Sequence, residues 1–401
     1  MPKKLQLGIF FGSRSCEHEV SIISALQLAA HANPFLYDVI LVYISKQGEW
    51  FTGGALWKLE TYINFDPQAS GLLRVFPDLS ARSGALIAFR RGKGLSGEQR
   101  YAAARLDCVV PVLHGQHGED GSLQGMLEMM DLPYASSGVA ASAVGMDKIM
   151  MKRYFRGFGF PVLPDVAVTR EMFERDSRAV LDAVTQTLSY PVFVKPANLG
   201  SSIGVSRAQD ESELTKALEL SFLLDRRCLV EAGLLDPQEV NCAVMGFGEQ
   251  VTPSVVEEPV RAGALLDFKT KYLGGGEGGG MASLTRVIPA RLSEEETKRV
   301  QDLSVDIFKA LDCKGVVRGD YMISRETREL WITEINTIPG SLAFYLWDKT
   351  GEGLGYRQLV DALVDCAMRA YKEKERNITS FQSEIILSAI KRKNSGAKGA
   401  K

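Results

Sequence analysis

The sequence predicts an α/β lobe built on a parallel sheet, followed by α+β units of paired strands. Two observations carry that prediction. Over residues 1 to 145, apolar runs of strand length alternate with segments of helical spacing, the pattern that lays helices on the faces of a parallel sheet. Beyond that point the strands come in pairs joined by glycine- or proline-bearing turns. A chain of 401 residues with 45% hydrophobic composition is large enough for two or three packed units.

In order, "LQLGIFFG" (5 to 12) reads as a buried strand, a Gly-Ser turn follows, and "SIISALQLAAHA" has helical apolar spacing. "DVILVYIS" closes a β-α-β unit. Residues 47 to 104 are rich in glycine and arginine and are expected to be an irregular elaboration. "DCVVPVLHG" (107 to 115) is a further strand, and Leu123, Met126, Leu127 and Met130 mark a helix with Ser122 as its candidate cap. Ligands in such sheets gather at the carboxyl ends of strands, here Gly12 to Glu19 and His114 to Gly121.

A second unit starts near Met146 with a helix to Phe158, and the prolines of "FPVLPD" punctuate the chain after it. "YPVFVKPANLGSSIGVSRAQ" (190 to 209) reads as strand, turn, strand, and "RCLVEAGLLDPQEVNCAVMG" as strand, loop, strand. Six glycines within 274 to 280 exclude a regular element and suggest a mobile loop. "EEETKRVQDLSVDIFKAL" is a helix, "VVRGDYMI" and "ELWITEIN" are strands, and a closing helix runs from Tyr356 to about Tyr371. The basic tail is expected to be disordered.

A net charge of -2 offers no overall attraction to nucleic acid or to an anionic membrane. Cys16, Cys108, Cys228, Cys242, Cys313 and Cys366 lie scattered without a C-x-x-C pair, and are expected as buried thiols in a reducing cytoplasm. The amino-terminal apolar run is short and ends in charged residues, which favours a first strand over a secretory leader. No apolar segment approaches the ~18 residues that a spanning helix needs.

Four groups of residues could carry chemistry. Lys195 ends an apolar strand just before "GSSIG", whose backbone N-H groups could face phosphate oxygens. The same residues also suit a plain β-hairpin with a surface lysine, and neither a Walker A sequence nor a dinucleotide fingerprint is present. Glu334 and Asn336 alternate on one strand and so project together, while Asp320 shares its strand face with Arg318. Antiparallel neighbours lie about 4.8 Å apart, so Asp320 and Glu334 could share a hard cation with Asn336; solvated residues on a strand edge are the plainer alternative. Glu17 and Glu19 flank His18 at a helix start, where either balances the helix dipole or grips an ammonium group. His114, at a strand end, also suits a satisfied core position.

"FFGSRSCEHEVSIISA", "LHGQHGEDGSLQGMLEMMDLPYASSG", "MDK", "VKPANLGSSIGVS", "KYL" and "EINTIPG" together resemble, in order, the motifs of the D-alanine-D-alanine ligase family from about Leu5 to Tyr371. The resemblance implies an ATP-grasp fold with an N-terminal Rossmann-like parallel-sheet domain, and units at 1 to 145, 146 to 235 and 236 to 376 with an extension at 377 to 401. It implies ATP phosphates on Lys148 and Lys195, adenine on Glu231 and the Leu234 backbone, and ribose on Glu239. Asp320, Glu334 and Asn336 would bind two Mg2+ ions, with Mn2+ able to substitute. Glu17, Ser201 and Tyr272 would lie over the first D-alanine with His114 close by, and Arg318 and the Gly340 N-H would face the oxyanion. Lys271 and Tyr345 fall at second-substrate positions.

The implied activity is a cytoplasmic ATP-dependent joining of two D-alanines through an acyl phosphate, for peptidoglycan precursor. A same-fold ligase with D-serine or another amino or hydroxy acid as acceptor, or a non-catalytic ATP-binding module, are the alternatives. The family often forms homodimers, which makes a homodimer possible here; nucleic-acid and membrane partners are not expected. Two departures bear on the acceptor. The loop around Tyr272 is richer in glycine than the family's, and Tyr345 stands where the family usually has a serine that helps bind the second carboxylate. "EAGLLDPQE" is also one residue longer than the usual spacing.

Overall fold

The apolar alternation of the first lobe becomes a seven-stranded sheet in the computed structural model, which describes residues 3 to 91, 98 to 260, 286 to 378 and 385 to 386. Strand β1 (Leu5–Gly12) pairs in parallel with β2 (Tyr37–Ile44) and β7 (Cys108–Pro111), and α1 (His18–His31) crosses between the first two. Leu7, Ile9 and Phe11 point to one buried face and Phe10 to the other, which is why this strand reads as a continuous apolar run. Residues 47 to 104 are not the irregular stretch expected. They supply β3 (Trp50–Thr52), β4 (Leu73–Pro77), β5 (Ala85–Arg91) and β6 (Glu98–Arg105), added antiparallel beyond β2 in the order β6-β5-β4-β3-β2-β1-β7. The short length of β4 and the exposed polar positions of β6 hide them from periodicity.

Helix α2 (Ser122–Met129) starts one residue earlier than expected of a Ser122 cap. Gly121, at φ 87°, holds the cap position, and the Ser122 N-H is bound instead by Asp120 Oδ1 at 2.9 Å. Helix α3 (Val139–Met146) leads into α4 (Lys148–Gly157), whose cap is Asp147: its carboxylate accepts from the N-H groups of Ile149 and Met150.

Four antiparallel strands follow: β8 (Asp165–Thr169), β9 (Val192–Pro196), β10 (Ser206–Ala208) and β11 (Arg227–Ala232), in the order β10-β9-β11-β8. Helices α5 (Arg170–Arg175), α6 (Ser177–Thr187) and α7 (Glu211–Leu224) accompany them; Val180, Val184, Leu214 and Leu218 share their core with Val192, Val194 and Val230.

The third sheet, β14-β13-β12-β15-β16, is antiparallel throughout: β12 (Gln238–Phe247), β13 (Gln250–Pro259), β14 (Arg286–Val287), β15 (Lys314–Ile323) and β16 (Leu330–Asn336). Helix α8 (Glu294–Ala310) begins with a capping box between Ser293 and Glu296. After α9 (Phe344–Trp347), the closing helix α10 (Tyr356–Lys374) runs one turn past Tyr371. Leu359, Val360 and Leu363 of α10 and Trp347 of α9 enter the same core as Leu7, Ile9 and Phe11 of β1. The last helix therefore joins the first sheet to the third.

All six cysteines are free, and Cys16 is exposed where a buried thiol was expected. Among the described residues no helix is long and apolar enough to cross a membrane.

Gly12 ends β1 at φ 93°, and a Cβ there would lie 2.2 Å from the Ile44 carbonyl oxygen. Gly12→Ala should cost about 1 to 3 kcal/mol, read from denaturant unfolding. A curve superimposing on the wild type would show that the turn relaxes freely.

Candidate active site

The site grows from strand register. Asp320 of β15 sits opposite Glu334 of β16 and Asn241 of β12, and Asn241 sits opposite Glu257 of β13. Directly paired residues share a sheet face, so Glu334, Asp320, Asn241 and Glu257 form one polar row. Arg318, paired with Asn336, lies on the same face one step along. A bulge after Asp320 leaves Thr333 out of register, its hydroxyl donating to the Asp320 carbonyl at 2.7 Å.

Arg318 closes a fork on Asp320, with Nε to Oδ1 at 2.6 Å and Nη2 to Oδ2 at 2.8 Å, and Asn336 Nδ2 donates to Oδ2 at 3.1 Å. Burial by itself would weaken the guanidinium's hold on its proton, but Asp320 outweighs it and raises the pKa well above the ordinary value. Arg318 is a permanent cation. Lys148, the first residue of α4, donates to the Leu199 carbonyl at 2.5 Å and stands 3.8 Å from Glu334 Oε2. It thus links the Gly-Ser turn to the carboxylate row.

Lys195, on β9, pairs with Glu231, which is 2% exposed and also paired with Lys152. Burial opposes ionisation of Glu231, yet the two lysines prevail and hold it down at about 2. Its carboxylate is engaged on both oxygens, and its main chain lies in an interior strand between Phe193 of β9 and Asp165 of β8. Leu234 lies in the link between β11 and β12, and Glu239 follows on β12, two residues before Asn241 and on its face.

The N-terminal lobe reaches in through two loops. Ser201 donates to the Glu17 carboxylate, and Ser201 and Ser202 take left-handed φ values of 53° and 60°. A Cβ on Gly115 would stand 2.3 Å from Glu17 Oε2, so only glycine admits this approach. Glu119 accepts from the N-H of Gly115 at 2.9 Å and of Ile338 at 2.8 Å. Burial, reinforced by the charge of Glu17, pushes its carboxyl up to about 8. His114 Nδ1 donates to the Ile338 carbonyl at 3.0 Å while Nε2 meets the Ser24 hydroxyl at 3.3 Å, and Ser24 Oγ accepts from the Ser341 N-H at 3.3 Å. These contacts clamp the Ile338 to Ser341 turn and with it the N-H of Gly340. Beyond it Ser341, Leu342 and Ala343 hold φ values of 47°, 56° and 51°, an uncommon left-handed run for residues with side chains.

Tyr345 donates to Glu257 Oε1 at 2.9 Å; Asn241 Nδ2 reaches the same oxygen at 3.0 Å and Arg286 Nη1 reaches Oε2 at 2.9 Å. The Arg286 guanidinium lies 4.0 Å from the Tyr345 ring centroid, a cation-π contact. Lys271 and Tyr272 lie outside the described residues.

Among the described residues no three His, Cys, Asp or Glu side chains group as a metal cluster. Asp320 and Glu334 of the row, with Asn336 one step along, nevertheless put two carboxylates and one amide on adjoining strands. That donor chemistry suits a hard cation. Sequence reasoning assigned no role to Glu119, Ser24, Lys152, Asn241 or Glu257. Only Glu119 carried a signal, through its place in "HGEDG".

Residues 6 to 137 match the family model described as D-ala D-ala ligase N-terminus, and residues 154 to 365 match the one for the C-terminus. A D-alanine--D-alanine ligase of Natranaerobius thermophilus is 37% identical over 383 residues, covering 94% of this chain and 99% of its own. One from Bacillus pumilus is 35% identical over 382 residues, covering 94% and 100%. Among solved structures, the D-alanine-D-alanine ligase from Coxiella burnetii superposes with TM-score 0.72 at 27% identity, over 93% of this chain and 98% of that one. The VanG D-Ala:D-Ser ligase from Enterococcus faecalis superposes with TM-score 0.74 at 29% identity, over 91% and 100%.

Burial lowers the His114 pKa to about 4, against 6.5 for the free side chain, with the Ile338 carbonyl opposing the shift. The unfolded chain then binds more protons than the folded one between those values, so this contribution is intact above pH 6.5 and lost as pH falls toward 4. The wild type should lose about 3 kcal/mol over that window relative to His114→Gln, measured by denaturant unfolding at a series of pH values. Parallel pH profiles would refute a neutral buried imidazole.

Proposed function

Because the chain belongs to the D-alanine-D-alanine ligase family, we propose that it joins two D-alanines into D-alanyl-D-alanine, converting ATP to ADP and phosphate, for peptidoglycan precursor synthesis. The observation that carries the reading is the convergence on one sheet face of Lys148, Glu334, Asp320 and Arg318 beside the clamped Gly340 turn. A retired nucleotide-binding module has no need of a cation locked at that spot.

In this reading a carboxylate oxygen of the first D-alanine attacks the γ-phosphorus and ADP leaves, giving an acyl phosphate. The amine of the second D-alanine then attacks the acyl carbon, the C-N bond forms, phosphate departs and the amine gives up a proton. Glu17, steadied by Ser201, grips the first ammonium group. Lys148 and Lys195 neutralise phosphate charge. Arg318 spends two of its five donors on Asp320 and turns the others, with the Gly340 N-H, toward the oxyanion of the tetrahedral intermediate. Asp320, Glu334 and Asn336 would hold Mg2+, two ions by the family pattern and replaceable by Mn2+, to neutralise charge on the transferring phosphoryl. Lys271 and Tyr272 are assigned to the substrates on the sequence alone. On the family's example the enzyme is cytoplasmic and homodimeric, with lobes at 1 to 145, 146 to 235 and 236 to 376.

One observation favours a second reading of the acceptor. Tyr345 commits its hydroxyl to Glu257, and a D-Ala:D-Ser ligase is among the structural neighbours. Phosphate release with D-alanine, D-serine, D-lactate and L-alanine, with products identified by mass, decides between them. D-alanine alone should sustain turnover; a mixed D-alanyl-D-serine product would move the assignment to the second reading. Arg318→Lys keeps the charge but loses the fork, and should lower kcat by about 10² to 10³ with a small change in KM. Glu334→Gln should abolish turnover with an unchanged unfolding curve, and retained activity would remove it from the metal set.

A further inference from the structure

Lys152 lies one helical turn after Lys148 on α4, so both project from the same side of the helix, yet only Lys152 is fully buried. It enters beneath β8 and β11, where Asp165 and Glu231 are directly paired across the strands. Two carboxylates at that spacing in a buried sheet need a cation between them. Lys152 supplies it. Its ammonium group donates to the Leu163 carbonyl at 2.9 Å and to Glu231, and stands 3.6 Å from Asp165, an ion pair rather than a hydrogen bond. Arg156 completes the balance on Asp165.

Lys195 is placed differently. Its side chain is 13% exposed, and among the described residues its one ionic partner is the second oxygen of Glu231. Were Lys195 the sole counter-ion of a carboxylate 2% exposed, drawing it onto a phosphate would strand a buried charge. With Lys152 fixed on the same carboxylate, that penalty disappears.

We propose that Lys152 is a positioning residue of the nucleotide site: by neutralising Glu231 from beneath, it frees Lys195 to hold an ATP phosphate. The assignment rests on the reading of Lys195 as a phosphate ligand. It differs from simple core stabilisation in one respect: the effect must depend on the phosphates of the ligand and on the presence of the Glu231 charge.

The test is calorimetric binding of ATP and of adenosine to the full chain. Lys152→Met should weaken ATP at least tenfold and adenosine less than twofold. Lys152→Met/Glu231→Gln, which leaves no stranded charge, should restore the ratio of ATP to adenosine affinity to within threefold of the wild type. Because both ligands carry adenine, any contact of position 231 with the base cancels in that ratio. Equal weakening of the two ligands, ATP binding unchanged in Lys152→Met, or a double variant that does not regain the ratio would each overturn the proposal. Should Lys152→Met not fold, the double variant decides alone by the same ratio. A wild type that binds ATP no more tightly than adenosine would instead remove the phosphate role of Lys195 itself, a separate outcome that takes this proposal with it.

Discussion

The fork between Arg318 and Asp320 is the constraint on which the site depends. Two residues apart on one strand, they share a face, and the guanidinium geometry fixes both at once. In water such a pair is worth little, but here both groups are largely withdrawn from solvent, where a fixed charge acts strongly on its neighbours. A cation held this way needs no rearrangement when negative charge develops beside it. Opposite charges repeat along the face: Lys148 near Glu334, Arg318 on Asp320, Arg286 on Glu257. Each buried charge is thus paired before any ligand arrives.

The face becomes a site only because another part of the chain completes it. Glu119 and His114 grip the two sides of the Ile338 peptide unit, one taking its N-H and the other donating to its carbonyl, while Ser24 holds Ser341. The left-handed Ser341 to Ala343 run is unfavourable for L-residues and persists under those contacts and the burial of Leu342 and Ala343. Helix α10 makes the same connection in apolar form, since its inner face packs with β1. Strain at the turn is therefore held by groups more than 200 residues distant in sequence, as for His114 and Ile338, 224 apart.

What the sequence disclosed follows from range. Asp320, Glu334 and Asn336 were legible because alternation within two adjacent strands sets their facing, and the observed register pairs Asp320 with Glu334. The apolar strands β1, β2 and β9 were legible for the same local reason. Strands β4 and β6 were not: β4 is too short and β6 too polar to leave a periodic signal, and pairing alone makes them strands. Lys152 was invisible because a lysine on an amphipathic helix normally signals solvent, and only the fold shows two facing carboxylates beneath it. Asn241 sits on β12, which pairs with β15, and Glu257 on β13, one strand further out, an order that could not be counted off along the chain.

Tyr345 shows how one substitution in a motif propagates. A serine hydroxyl at that place would be small and free to turn toward a substrate, whereas the phenol extends across the sheet face to Glu257. Burial and the Glu257 charge raise its pKa, so the proton stays on the oxygen and the bond keeps its direction. The ring in turn supports the Arg286 guanidinium, which neutralises Glu257. Replacing a short hydroxyl by a long one thus requires an acid to receive it and a base to balance that acid. Asn241 ties the group back to the strand that also pairs with Asp320. The far end of the polar row is consequently four interlocked side chains, none of which can change its charge or length without unbalancing the others.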